Sequence, residues 1–231
     1  MDDRKLPDTD THQPLLFQLG EARAQGLEFY PAVWSAAEAL TSSDPLIRRM
    51  GLEELDETDA ARYSPLIVYL LITMLTDPDI DLRAKVIHCL TRVMGRDEQG
   101  NTSPEAVRQC LCGHLGALRT REVYALLQAV EHQPAIEEQV VSLLGCSSYA
   151  GNHLADILSE RGAPLGIRRL AARFIGRVGF LSALPAVDRL ASRLETRHQG
   201  QQAMPFAPRD AGDEVHLLPE LRKALELLSA P

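Results

Sequence analysis

Asp44-Pro45-Leu46-Ile47-Arg48-Arg49-Met50 carries a phrase that occurs three times in this chain. Leu82-Arg83-Ala84-Lys85-Val86 follows Asp77-Pro78, and Ile167-Arg168-Arg169-Leu170 follows Ala163-Pro164. Each copy is a Pro-marked turn, an aliphatic-Arg pair and then an apolar helix face. A helix start repeated in this way marks an array of stacked helical units, none of which can bury a full core alone. Such an array offers a long surface without naming what binds there.

Outward from these three phrases, the chain reads as helices separated by short breaks. Pro31 falls in the first turn of a helix whose apolar positions are Val33, Trp34, Ala37 and Leu40, at helical spacing. Ser42-Ser43-Asp44 ends it and caps the next. Pro65 opens the apolar helix Leu66 to Leu75, and Leu82, Val86, Cys89, Leu90 and Val93 share one face of the helix after it. Ser103 as N-cap with Pro104 in the first position starts another helix, and Arg121 to Val130 and Ile136 to Leu144 form a further pair. Pro164 to Val178 and Leu184 to Leu194 are the clearest pair in the second half. Residues 1–14 lack apolar periodicity and read as a disordered tail. Leu15-Leu16-Phe17 begins a short segment of N-terminal cap character. Residues 196–213 read as a loop, and 216–229 as a C-terminal capping helix with Leu218, Leu221, Leu225 and Leu228 aligned. No stretch alternates as a strand does. The expected fold is all-α, an α-solenoid of about five stacked antiparallel helix pairs over residues 15–228.

Composition agrees. Of 231 residues, 45% are hydrophobic but only 5% aromatic, with Ala and Leu abundant, which favours helix packing over a β-sandwich. The most apolar run, Leu66 to Leu75, is too short to span a bilayer. The charged start, Met1-Asp2-Asp3-Arg4-Lys5, is unlike a signal peptide, so a cytoplasmic protein is expected. Cys89, Cys110, Cys112 and Cys146 form no CxxC pair and read as reduced core residues. The net charge is −8 but unevenly spread: residues 1–100 hold 10 Arg and Lys against 18 Asp and Glu, whereas residues 161–197 hold 8 Arg against Asp188 and Glu195.

The unit Asp-Pro-x-x-(Ile/Leu)-Arg followed by a helical pair resembles a HEAT repeat. The fullest copy runs from Pro164 through Arg168, Arg173 and Gly179 to Ala183-Leu184-Pro185-Ala186-Val187. It is similar to the short bacterial HEAT-like repeats of the phycobilisome-lyase type. The resemblance spans residues 29–228 and is clearest at 43–94 and 163–195; no such unit is legible at 103–160. It implies a superhelical scaffold that binds proteins without catalysis or cofactor. It also implies a stacking ladder in which Arg48 pairs with Asp44, Arg83 with Asp77 or Asp81, and Arg168 with a nearby acid.

Three groups of residues are candidate sites. Arg169, Arg173 and Arg177 sit at i, i+4 and i+8 on one helix face, and Arg189 and Arg193 repeat the spacing on the next helix. This stripe could recruit an acidic protein partner, or be a solvated face neutralised by neighbouring repeats. The negative chain disfavours nucleic acid, whose nonspecific affinity comes from neutralising phosphates. Cys110-x-Cys112-x-His114 places two of three possible metal ligands on one face, and reads better as core packing than as a metal site. Trp34 with Phe29 and Tyr30 reads as packing against a cap, or as a stacking platform. The rival class is a HEAT-like enzyme, such as a bilin lyase or an alkylpurine DNA glycosylase. The lone Trp and the acidic body argue against the glycosylase, and no His-Glu dipeptide supports iron binding of the hydroxylase kind.

Overall fold

A computed structural model describes residues 31–202 and 213–230. The expected tail at 1–14 and the segment from Leu15 lie outside these residues. The protein is all-α, with eleven α-helices and no strand among the described residues. They are α1 (Pro31–Ala39), α2 (Pro45–Glu57), α3 (Pro65–Thr73), α4 (Ile80–Met94), α5 (Glu105–Gly116) and α6 (Thr120–His132). Then follow α7 (Glu137–Gly145), α8 (Ala150–Ser159), α9 (Leu165–Val178), α10 (Leu184–Gln202) and α11 (Leu218–Ser229). Short 3-10 turns at Ala60–Arg62, Met74–Thr76, Pro134–Ile136, Leu181–Ala183 and Asp213–Leu217 join several of them.

The breaks start helices through side-chain caps. Asp44 Oδ1 accepts from the Leu46 amide at 2.9 Å, with Pro45 in the first turn. Asp79 Oδ1 accepts from the Asp81 and Leu82 amides, and Ser64 caps α3 ahead of Pro65. Each cap satisfies a donor that the first turn leaves open. Ser103 departs from its expected role: Pro104 takes the cap position of α5 and Ser103 is buried just before it.

One row of helices runs α2, α4, α7, α9 and α11, each packing on the next. A second row has α6 on α8 and α8 on α10, while α4 and α9 both lean on α6. Helix α5 packs mainly beside α3 and α4, so the row pattern loosens in the region where no repeat unit is legible. The principal contacts join helices no more than three apart in chain order. One continuous core follows the rows, with Leu52, Leu71, Leu90, Leu126 and Phe174 among its fully buried side chains. Two glycines let helices close up. A Cβ at Gly51 would sit 2.6 Å from the Ala36 carbonyl oxygen, and one at Gly176 would sit 2.7 Å from the Ala224 Cα.

The loop expected from residue 196 begins later, because α10 continues to Gln202. Thr196 returns its hydroxyl to the Ser192 carbonyl at 2.9 Å, and Glu195 is held by Arg222 at 2.8 Å. Gln and Arg are good helix formers, and one glycine costs only about 1 kcal/mol, too little to stop the helix. Residues 203–212 lie outside the described set. At the far end, the 3-10 turn Asp213–Leu217 leads into α11.

Candidate functional site

The ladder arginines are buried, but their partners differ from those expected. Arg48 is only 8% exposed. Its Nε lies 2.8 Å from Asp77 Oδ2 and its Nη2 donates to Asp77 Oδ1 at 3.0 Å, while Nη1 donates to the Ser42 and Ser43 carbonyls. Asp44 is not its partner, because that carboxylate is already spent capping α2. The guanidinium therefore reaches past its own turn to the acid that opens the next copy. Asp77 is thereby unavailable to Arg83, and Asp81 faces Arg49 at 3.6 Å and His132 at 2.9 Å. Arg83 instead donates to the Ala125 carbonyl and to Gln128 Oε1, at 3.3 and 3.1 Å. Burial pulls its pKa below the usual guanidinium value, against the opposing pull of Asp77 and Asp79. Arg168 donates through Nε to the Leu158 carbonyl and through Nη1 to Glu214 Oε1, both at 2.9 Å.

The arginine stripe on α9 is not an open cationic surface. Arg173 bridges Glu137 at 3.2 Å and Glu220 at 3.0 Å, and Arg177 binds Glu137 at 2.7 Å and Glu138 at 2.5 Å. Arg169 is the loosest, 3.9 Å from Glu220. The stripe is thus tied to α7 on one side and α11 on the other. Its hydrogen bonds with those glutamates hold the Arg173 and Arg177 pKa values above normal. Arg189 and Arg193 do not extend it. They lie exposed on α10, in the other row, where Arg189 turns back to the Pro185 carbonyl and Arg193 adds positive field at Glu214.

The cysteine and tryptophan candidates separate in the same way. Cys110 Sγ faces the Pro65 carbonyl, Cys112 lies against Cys146, and the His114 ring packs 5.2 Å from that of Tyr69. Among the described residues no group of three His, Cys, Asp or Glu side chains could hold a metal ion. Trp34 is 50% exposed, and its sequence neighbours Phe29 and Tyr30 lie outside the described residues.

What the structure brings together is a face along the α2–α4–α7–α9–α11 row. Three clefts open on it. The first, about 300 Å³, lies between α2, α4 and the α6–α7 turn, with Leu52, Ala84 and Ile136 among its lining residues and Glu53, Lys85 and Gln139 also bordering it. The second, about 260 Å³, lies between the end of α6, α7 and α9, beside Arg169 and Arg173. The third, about 380 Å³, is bounded by Glu137, Arg173, Arg177, Glu220 and Lys223. Ion pairs hold side chains that border the first: Lys85 to Glu53 at 2.5 Å, and Arg92 to Asp56.

The first cleft also holds a histidine and a cysteine, but they are not assembled for nucleophilic chemistry. His88 Nδ1 contacts the Gln139 amide at 3.2 Å, and Cys89 Sγ faces Asp56 at 3.4 Å. Burial, with Asp56 beside it, pushes the Cys89 thiol up to about 12. A thiol so shifted is protonated at neutral pH and is a poor nucleophile.

Sequence reasoning missed Arg62, which is 4% exposed in the break after α2. It donates to the carbonyls of Arg92, Gly95 and Asn101, and so anchors the α4–α5 loop. Nothing in its local sequence distinguishes it from a surface arginine. The acids Glu137, Glu138, Glu214 and Glu220 were equally unremarkable, because their partners are about 36 to 47 residues away. No protein-family model, curated protein or solved structure matches this chain. No helix of the described residues is long and apolar enough to cross a membrane.

Proposed function

We propose that the protein is a non-catalytic, cytoplasmic protein-binding scaffold, built as a HEAT-like α-solenoid of about five helix pairs. The observation that supports this reading is the alignment of three clefts on the α2–α4–α7–α9–α11 row. A partner lying along the row would meet rigid helices whose side chains are already held by ion pairs, which keeps the ordering cost of binding low. Contacts that join helices close in the chain support the array reading. Because the α9 arginines are engaged by Glu137, Glu138 and Glu220, an acidic partner would have to compete with intramolecular carboxylates there. The reading therefore assigns binding to the row as a whole, with the α9 stripe as a brace between α7 and α11.

Photo-cross-linking tests it. A photoreactive residue is placed in the full chain at Ala135 or Lys223, which border the first and third clefts, and at Arg189 on the other row. Partner proteins cross-linked from the two cleft positions and not from Arg189 are expected. Equal cross-linking from Arg189 would overturn the assignment of the face.

A further inference from the structure

The row α2–α4–α7–α9–α11 ends differently at its two extremities. At its last helix, α11 turns Arg222, Lys223 and Glu226 to solvent, with Leu227 beside them. At its first, α2 exposes Leu46, Ile47 and Met50, which are 65%, 44% and 68% exposed. These three lie at i, i+1 and i+4, on one side of the helix, while Arg48, Leu52 and Leu55 occupy the buried side. No other helix of the described residues exposes three large hydrophobic side chains. None of the three borders the clefts already described. A row of stacked helices needs a polar outer face at each end, because no further unit covers the terminal one. The α11 end meets that need and the α2 end does not. A contiguous apolar face of this kind marks a contact site.

We propose that Leu15, Leu16, Phe17 and Leu19 of the same chain dock on Leu46, Ile47 and Met50 and close this end of the row. The connection is long enough. Residues 20–30 join Leu19 to Pro31, the first residue of α1, and can span at most roughly 36 Å. Helix α2, with 13 residues, is only about 20 Å long. Helix α1 starts beside it, since the two pack so closely that a Cβ at Gly51 would sit 2.6 Å from the Ala36 carbonyl oxygen. The chemistry selects the same segment. Leu15-Leu16-Phe17-Gln18-Leu19 brings four apolar side chains and no charge, so docking it desolvates no ionic group of its own. A second copy presenting its own α2 would carry Glu53, Glu54 and Glu57 with the apolar face, and like charges close together oppose pairing. The proposal goes beyond the scaffold reading and does not depend on what the clefts bind.

Two measurements on the purified full chain test it. In the first, a benzophenone amino acid replaces Met50, and the products of illumination are sized and mapped by mass spectrometry. Links within one chain to residues 15–19 are expected. Links to a second copy, links only to other parts of the chain, or no link at all overturn the proposal. In the second, thermal melts compare Phe17→Ser, Met50→Ser and the double variant. Each single change should lower the melting midpoint by about 2 to 4 °C, the usual effect of losing one buried contact in a chain of this size. The double variant should lose little more than either alone, because both remove the same contact. Tyr149→Ser, at an exposed position away from α2, serves as the control and should add independently to Phe17→Ser. Additive losses for Phe17 and Met50, or no loss from either change, overturn the proposal. Cross-links from Ala135 and Lys223 to a partner test the scaffold reading separately, so either idea can fail while the other stands.

Discussion

The first and third copies of the repeated phrase are built alike and braced differently. In both, the first arginine is buried, Arg48 at 8% and Arg168 at 3%, and reaches forward to an acid in a later element. In both, the second arginine stays half exposed and crosses to another acid, Arg49 to Asp79 and Arg169 to Glu220. The acids are placed differently. Asp77 is nearly closed off from solvent and belongs to the next copy's own turn, 29 residues on. Glu214 is more open, lies 46 residues on, and also takes Arg197 at 3.3 Å. The middle copy shows what happens without an acid: Arg83 is buried with only a carbonyl and an amide as acceptors. In each copy the first arginine reaches a later element, and its acceptor is whatever that element presents.

This difference ranks the expected effects. Arg48→Met should be the most damaging, by about 3 kcal/mol, because it strands the buried Asp77 carboxylate and leaves two carbonyls without a donor. Arg168→Met should cost less, about 2 kcal/mol, since Arg197 still serves Glu214. Arg83→Met should cost about 1 kcal/mol or less, because an apolar side chain escapes the desolvation that an acid-less guanidinium bears. Chemical denaturation of the three variants checks the order; a loss at Arg83 equal to that at Arg48 would break the comparison.

Acid titration sharpens it further. Burial works to raise the Glu214 pKa, but the hydrogen bond and charge of Arg168, aided by Arg193 and Arg161, hold it below the usual carboxylate value. A group with a depressed folded pKa stabilises the protein fully above its unfolded pKa, about 4.3 for Glu, and that contribution is lost as pH falls through the lowered folded value. Thermal melts across this acid window should therefore show a shallower loss in Arg168→Met than in the parent chain. The smallest effect is expected at the stripe. Arg177→Ala removes an exposed pair to Glu138 while Glu137 keeps Arg173, so stability should change by about 0.5 kcal/mol or less in the same denaturation series.

Helix positions were the most legible part of this chain, because their signals are local. Asp44-Pro45 and Ser64-Pro65 each start a helix through a cap within three residues, whereas the start read at Asp77-Pro78 falls two residues later, at Asp79, and the apolar spacing that follows each identifies the buried side. Legibility fell where a feature depended on two units at once. The pairing of Arg48 with Asp77 rather than Asp44 requires knowing that the turn carrying Asp77 lies against α2. The neutralisation of Arg173 and Arg177 requires knowing that α7 and α11 flank α9. The end of α10 was misplaced because its polar surface lacks apolar spacing even though each residue tolerates a helix.

By itself the sequence determined that the chain is helical and where most helices begin. Those properties depend on contacts within a few residues, where chain geometry leaves little choice. Only the tertiary structure decided which acid each arginine meets and that the conspicuous α9 stripe braces three helices. Such pairings join residues about 30 to 50 positions apart, and the order in which helices stack, which no local pattern encodes, sets them.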